Sequence, residues 1–297
     1  MPRHRTPSPR RLHDQVSVDT PSLGVVTGVQ TDGVDVFKGL KYGVPFPRFE
    51  KATPYTTTDG VDGTNYGAWC TQVDPGQGTM DEDCLFLNVW SPTSADISAS
   101  AEVGTNVLKP VMFYIHGGGF TAGSGADMLF ESTDLARSTH NVVVTINYRL
   151  GPLGFLVTEK SGAGGMNGLA DVILALEWVQ TNIESFGGDP DRVMIFGESA
   201  GGCATCTLAV SGAAKGLAQS AIIHSGPCVG YSDKGWQPEP RALGLAQTEL
   251  LMKQHNASSV DELRSVAASE FTSWPAPTGG YFLDNEVMPV QPSELYT

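Results

Sequence analysis

The segment around residue 199 limits the possible folds most, because a serine stands there between a strand-like run and a helix-like run. The pentapeptide GESAG (197–201) follows the β-rich run RVMIF and precedes the small-residue run GGCATCTLAV. A G-x-S-x-G pattern alone is weak evidence, since a chain with 35 glycines would contain about 0.3 such patterns by chance. In this context it predicts a strand, a tight turn and a helix, which together lift a serine hydroxyl above the edge of a sheet.

Short apolar runs alternate with helical patterns along the chain. The predicted strands are Val25–Val29, Val34–Phe37, Leu85–Trp90, Val111–His116, Val142–Asn147, Val193–Phe196 and Ala221–His224. The clearest helix covers 168–184, with Asn167 placed to cap its start and Gly187 just past its end. The early strands are expected to be antiparallel. From residue 110 onward, the strand–helix–strand order predicts a parallel sheet with helices on both faces.

Length, charge and hydropathy exclude several classes of protein. The chain has 297 residues, 40% of them apolar, which is ample for a sizeable core. Its formal net charge of −14 argues against a nucleic-acid backbone or an anionic membrane as the main partner. Apolar runs such as Val142–Ile146 are far shorter than a membrane-spanning helix.

The first nineteen residues are predicted to be a disordered, basic, Pro-rich arm that precedes a single domain at 20–297. The run MPRHRTPSPRR has no apolar stretch after its charged start, so it does not resemble a secretory signal. A nuclear address is the alternative interpretation of this basic cluster. Residues 93–106 are expected to form a surface loop.

A second glycine-rich segment supports chemistry at the serine. The apolar run PVMFYI ends in His116 and three glycines, 117–119. Glycines after a core strand let backbone N–H groups approach a ligand closely. A serine that attacks a carbonyl needs such donors for the developing oxyanion, and the N–H of the next residue, Ala200, is the usual additional donor. The two segments together predict a nucleophilic Ser199 with an oxyanion hole.

Five stretches, taken in order, resemble the type-B carboxylesterases, the family that includes the cholinesterases. They are VFKGLKYGVPFPRF (36–49), EDCLFLNVWSP (82–92), VVVTINYRLGPLGFL (142–156), GMNGLADVILALEWVQTNIESFGG (165–188) and FGGDPDRVMIFGESAGG (186–202). The resemblance implies an α/β-hydrolase fold, with a mostly parallel central sheet, flanking helices and N-terminal antiparallel strands. It also implies hydrolysis of carboxylic esters through a serine acyl-enzyme, without a cofactor.

The resemblance also implies roles for individual residues. Ser199 matches the nucleophile, and the oxyanion donors are Gly118, Gly119 and Ala200. His116 matches a residue that braces the oxyanion loop.

Other matches concern the surroundings of this site. Glu198 and Ser225 resemble positions beside the acyl site, although ordinary capping and turn chemistry is an equal alternative for both. The remaining matches are two pairs, a disulfide between Cys70 and Cys84 and a buried ion pair between Arg149 and Asp171.

The triad is where the sequence departs from the family. In α/β-hydrolases the chain order is serine, acid, histidine. No acid lies between Ser199 and His224, and His255 sits in a helical stretch, where it is expected to be a surface residue. The final run GGYFLDNEVMPVQPSELY resembles the segment that precedes the triad acid. We therefore expect a chain truncated at its C-terminal side, without the acid and the base.

The sequence is also compatible with alternatives to an active esterase. A catalytically inactive binding or scaffold member of the same fold is the main one. The Cys203-x-x-Cys206 spacing is typical of redox or zinc sites, but small buried core residues are the favoured interpretation. No metal or nucleotide motif is present. The sequence leaves the oligomeric state and the compartment open, since it carries no signal peptide while the Cys70 and Cys84 pair is compatible with export.

The substrate is expected to be a neutral ester of small to medium size. Cholinesterases hold a quaternary ammonium on an aromatic face. The segment between Cys70 and Cys84, TQVDPGQGTMDED, contains no aromatic residue, so the sequence argues against a choline site. The acidic surface is expected to repel anionic esters.

Overall fold

A mixed β-sheet forms the centre of the protein. The computed structural model describes residues 14–73, 78–93, 107–159, 165–226, 238–275, 281–284 and 286–295. The strands are β1 (Asp14–Thr20), β2 (Gly24–Thr31), β3 (Val34–Lys41), β4 (Gly43–Val44), β5 (Thr53–Pro54), β6 (Val61–Asp62), β7 (Trp69–Cys70), β8 (Met80–Asp81), β9 (Phe86–Pro92), β10 (Lys109–Ile115), β11 (Val142–Ile146), β12 (Gly188–Glu198) and β13 (Ser220–His224). The α-helices are α1 (Thr133–Thr139), α2 (Gly151–Phe155), α3 (Asn167–Asn182), α4 (Ala200–Ser211), α5 (Arg241–Gln254) and α6 (Val260–Leu263).

The strand order of the main sheet is β1-β2-β3-β9-β11-β10-β12-β13, and β6 pairs with β2. Every pair from β1 to β11 along this path is antiparallel, whereas β11, β10, β12 and β13 are mutually parallel. The predicted α/β-hydrolase architecture and its seven predicted strands are therefore confirmed. Residues 14–19, which the sequence assigned to the disordered arm, instead lie in β1 and pair with β2. Residues 1–13 and 94–106 lie outside the described residues.

Strand β11 shows why the sheet needs helices on both sides. All five of its residues are buried, as expected for a strand covered on both faces. Val142 and Val144 belong to the main core cluster, whereas Val143 packs in a smaller cluster with Ala136 of α1. Helix α4 packs against β10, β12 and β13. The continuous apolar run thus serves two cores at once.

Helix α3 confirms the predicted helix but corrects its start. Asn167 is the first helical residue and not the cap, and its side chain donates a hydrogen bond to the carbonyl oxygen of Phe49 at 3.0 Å. Met166 occupies the cap position and has no side-chain hydrogen bond to the helix, while the Asn167 Nδ2 group ties the helix start to the segment at Phe49. After a short 3₁₀ turn, Gly187 ends the segment with φ 75°, as the sequence predicts for a glycine at a helix end.

Strand β13 ends the described sheet on one side. It pairs with β12, and all five of its residues are exposed. Ile222 and Ile223 each keep 43% of their surface accessible. An edge strand with exposed apolar side chains can pair with an additional strand or with another protein chain.

Candidate active site

Ser199 lies in the predicted strand–turn–helix. It follows the last residue of β12 and precedes the first residue of α4, with φ 55° and ψ −121°. A non-glycine residue at positive φ is strained and persists only where the surrounding structure imposes it. Strand β13 helps to hold this backbone conformation, because the Ser199 N–H donates to the carbonyl oxygen of His224 at 2.9 Å.

The glycines of the pentapeptide are required by close backbone packing. A Cβ added to Gly197 would lie 2.4 Å from the carbonyl carbon of Gly201, and one added to Gly201 would lie 2.0 Å from the carbonyl oxygen of Ile115. Any side chain at either position would force the turn, the helix and strand β10 apart. The G-x-S-x-G pattern is therefore explained by geometry at both glycines.

The glycine loop lies beside the serine because the two segments follow neighbouring strands in register. Ile115 of β10 pairs with Gly197 of β12, so the residues that follow each strand leave the sheet at the same edge. A Cβ on Gly117 would lie 3.3 Å from the Cβ of Ser199 and 2.7 Å from the carbonyl oxygen of Glu198. The loop therefore touches the serine turn, as the esterase interpretation requires.

The next two glycines are exposed and adopt positive φ, 105° for Gly118 and 62° for Gly119. Within the described residues, neither N–H group donates a hydrogen bond to another part of the protein. Ala200 is the first residue of α4, where backbone N–H groups have no acceptor within the helix. These three groups are thus available to a ligand on geometric grounds, and their role as oxyanion donors stays a prediction.

His116 is buried under the glycine loop. Its Nδ1 lies 2.8 Å from the carbonyl oxygen of Gly117, and because a carbonyl only accepts, Nδ1 carries the ring proton. The imidazole stacks on Tyr148 with ring centroids 4.3 Å apart, and the Tyr148 hydroxyl donates to the carbonyl oxygen of His116 at 2.8 Å. Burial lowers the pKa of His116 to about 4, so the ring is neutral at physiological pH. Tyr148 was not predicted as a site residue, although it lies in one of the family-like stretches, 142–156.

The two positions predicted beside the acyl site lie next to the serine turn. Glu198 is exposed and pairs in register with His224. Ser225 follows β13, is exposed and has φ 52°. His224 contributes its backbone carbonyl to the turn. The roles of Glu198 and Ser225 stay predictions.

Among the described residues, no hydrogen bond joins His255 to Ser199, and the predicted surface residue is half-buried. The residue directly follows α5, and its N–H donates to the carbonyl oxygen of Leu251 at 3.1 Å. Its ring is only partly exposed and lies 5.6 Å, centroid to centroid, from that of Phe271. Phe271 is a long-range neighbour, which the helical pattern around His255 could not reveal.

The predicted disulfide is present. Cys70 and Cys84 are bonded, with their Cα atoms 4.9 Å apart. Cys206, which the sequence analysis treated as a small core residue, is also disulfide-bonded, so the C-x-x-C pair is not a dithiol. Burial raises the pKa of the Cys203 thiol to about 11, whereas reactive redox thiols have lowered pKa values.

The predicted buried ion pair is also present. Arg149 donates from Nε to Asp171 Oδ2 at 2.8 Å and from Nη2 to Oδ1 at 2.7 Å. Its third guanidinium nitrogen reaches the carbonyl oxygen of Glu50 at 2.7 Å. This pair ties α3 to the segment that leads into α2.

Within the described ranges, no group of three or more His, Cys, Asp or Glu side chains is arranged to hold a metal ion. In the same part of the chain, no helix is long and apolar enough to cross a bilayer.

Comparisons with known proteins agree with this geometry. A model of the carboxylesterase family matches residues 14–296. The chain is 36% identical to para-nitrobenzyl esterase of Bacillus subtilis over 267 residues, which covers 84% of this chain and 51% of that protein. It is 42% identical to Acetylcholinesterase-1 of Trittame loki over 255 residues, which covers 80% of this chain and 44% of that protein. The chain thus spans about half the length of these curated relatives.

Solved structures give the same result. A PNB esterase matches with a TM-score of 0.80 and 32% identity, over 94% of this chain and 60% of that chain. A carboxylesterase of Geobacillus stearothermophilus matches with a TM-score of 0.80 and 31% identity, over 94% of this chain and 58% of that chain.

Proposed function

Because the chain belongs to the carboxylesterase family, we propose that it contributes the nucleophile and the oxyanion hole of an enzyme that hydrolyses carboxylic esters through an acyl-enzyme on Ser199. One observation carries the proposal. The strained Ser199 and the glycine loop meet at one edge of the sheet, with the Cβ position of Gly117 3.3 Å from the Cβ of Ser199.

The chemistry follows from these groups. The Ser199 Oγ attacks the ester carbonyl carbon while a base takes its proton, and the carbonyl oxygen becomes an oxyanion. The N–H groups of Gly118, Gly119 and Ala200 stabilise that charge, which is commonly the largest single contribution in such sites. The C–O bond to the alcohol then breaks, and the alcohol leaves with the proton. Water attacks the acyl-enzyme in the same way and releases the acid.

We further propose that residues 1–297 react slowly by themselves, because none of the described histidine side chains bonds to the Ser199 hydroxyl. His116 directs its proton to Gly117 and has a lowered pKa, and His255 packs against Phe271. A serine hydroxyl without a base is a weak nucleophile at neutral pH. Oxyanion donors and binding alone leave an acceleration of about 10³–10⁴ over water, far below that of a complete triad.

A neutral ester of small to medium size is the substrate class that we propose. The net charge of −14 disfavours anionic esters. The segment between Cys70 and Cys84 lacks an aromatic residue that could hold a quaternary ammonium.

The test is turnover of p-nitrophenyl butyrate by purified 1–297, with Ser199→Ala as the matched variant. We expect slow turnover that the substitution abolishes. Equal rates for the two chains would refute the role of Ser199 and favour a binding or scaffold protein. Turnover at ordinary esterase rates, abolished by Ser199→Ala, would show that a base is present after all, and His255 and His224 would be the residues to replace next.

A further inference from the structure

Gln72 makes an unusually complete set of hydrogen bonds for a side chain between the disulfide and the glycine loop. It is 2% exposed and lies two residues after Cys70. Its Nε2 donates to the carbonyl oxygens of Cys70 at 3.0 Å and of Gly123 at 2.9 Å. Its Oε1 accepts from the N–H of Gly123 at 2.8 Å. Both amide protons and the oxygen are used. The side chain thus pairs with both the N–H and the carbonyl of Gly123, as a residue of a neighbouring strand does.

Gly123 in turn packs directly against the start of the glycine loop. It has φ 108°, and a Cβ there would lie 2.4 Å from His116 Nδ1 and 2.6 Å from the carbonyl oxygen of Gly117. The N–H groups of Thr121 and Ala122 both donate to the carbonyl oxygen of Gly118, at 3.1 Å and 3.0 Å. Residues 117–123 therefore form one tight turn, and Gln72 holds its far end.

The buried side chain of Asn147 makes a second connection between the disulfide segment and the residues after the glycine loop. The Oδ1 of Asn147 accepts from Ser124 Oγ at 2.8 Å and from the N–H of Gly125 at 2.9 Å. Its Nδ2 donates to the carbonyl oxygens of Ala68 at 2.9 Å and of Cys84 at 3.2 Å. Both ends of the disulfide segment are thus bonded through an amide to residues 123–125.

We infer that Gln72 is a positioning residue for the oxyanion hole: it transmits the fixed geometry of the Cys70–Cys84 segment to the loop that carries Gly118 and Gly119. The inference rests on the proposed function for its catalytic part. A donor in an oxyanion hole is effective only if it is held where the oxyanion forms, and the loss of one such donor lowers kcat by about 10²–10³. Gln72 does not touch the reacting atoms, and its effect passes through Gly123.

Two variants and a matched control test this role. Gln72→Met keeps the length of the side chain and removes all three hydrogen bonds. Gln72→Glu keeps the acceptor for the Gly123 N–H but turns an oxygen toward two carbonyl oxygens. Gln180→Met is the control, because the Gln180 amide also donates to two carbonyl oxygens, those of Pro190 at 3.0 Å and Leu217 at 3.1 Å, away from the serine turn.

The first readout is hydrogen–deuterium exchange of peptides that cover 117–126, which does not depend on activity. A backbone hydrogen bond of this kind contributes about 1 kcal/mol, so we expect exchange to rise about fivefold in both Gln72 variants and to stay unchanged in Gln180→Met. The second readout is the rate at which a fluorophosphonate labels Ser199, followed by intact mass. We expect that rate to fall at least about tenfold in the Gln72 variants, with Gln72→Glu the slower, and to match wild type in the control.

The outcomes separate the two proposals. Unchanged exchange at 117–126 in both Gln72 variants overturns the inference, whether or not Ser199 reacts. Raised exchange with a labelling rate equal to that of Gln180→Met overturns it too, because the loop would then move without affecting the site. A wild-type chain that labels no faster than Ser199→Ala refutes the proposed function, and the exchange data alone then decide whether Gln72 holds the loop.

Discussion

The buried ion pair between Arg149 and Asp171 offers the sharpest test of the fold. Asp171 is fully buried, and its Oδ2 accepts both the Arg149 backbone N–H at 3.1 Å and the Nε at 2.8 Å. Asp171→Asn keeps the shape but leaves a guanidinium that is 5% exposed without its counter-charge. Removing one partner of a buried pair costs about 3–5 kcal/mol, so we expect the free energy of unfolding to fall by that amount.

The assay is urea unfolding followed by circular dichroism, with Asp134→Asn as the control. Asp134 pairs with Arg137 on the surface, where its side chain is 89% exposed, and the loss of such a pair changes stability by less than about 1 kcal/mol. The double variant Arg149→Met with Asp171→Leu should recover most of the loss, since it leaves no buried charge. A cost of Asp171→Asn no larger than that of Asp134→Asn would refute the reasoning.

Three further predictions concern the loop, the buried imidazole and the open edge. Gly118→Ala places a Cβ 2.1 Å from the Ala122 carbonyl oxygen at φ 105°, so labelling of Ser199 by a fluorophosphonate should fall about 100-fold, and an unchanged rate would contradict this. Since burial lowers the pKa of His116 to about 4, the unfolded chain binds a proton between about pH 6.5 and 4 that the folded chain does not, and stability should therefore fall as the pH is lowered through that window. In urea unfolding, the loss of unfolding free energy between about pH 6.5 and 4 should be about 3 kcal/mol smaller in His116→Phe than in wild type. An equal loss in both chains would refute the burial argument. Ile223→Lys on the exposed strand β13 should lower aggregation measured by light scattering, while equal scattering would show that this edge is not the site of association.

The sequence predicted most of the sheet because its strands carry local signals. Val142–Ile146 is apolar at every position, which is the pattern of a strand buried on both faces, and the structure places it between β9 and β10. The turn at Ser199 was also predictable, since close backbone contact requires glycine at 197 and 201.

Three features were not predictable because their partners lie far away in the chain. Asn167 looked like a helix cap because Asn caps helices locally, yet its amide bonds to Phe49, 118 residues away. The ring of His255 lies against Phe271, which no helical periodicity encodes. Gln72 carried no signal at all, since its partner Gly123 is 51 residues further along.

The most direct measurement of the central claim is the site of covalent modification by an ester-like inhibitor. Purified 1–297 is treated with a fluorophosphonate, digested, and its peptides are sequenced by tandem mass spectrometry, with Ser199→Ala treated in parallel. The strained turn and the adjacent glycine loop predict a single adduct on Ser199 that is absent from the variant. An adduct on other serines at equal yield, or the same labelling of the Ser199→Ala chain, would contradict the account.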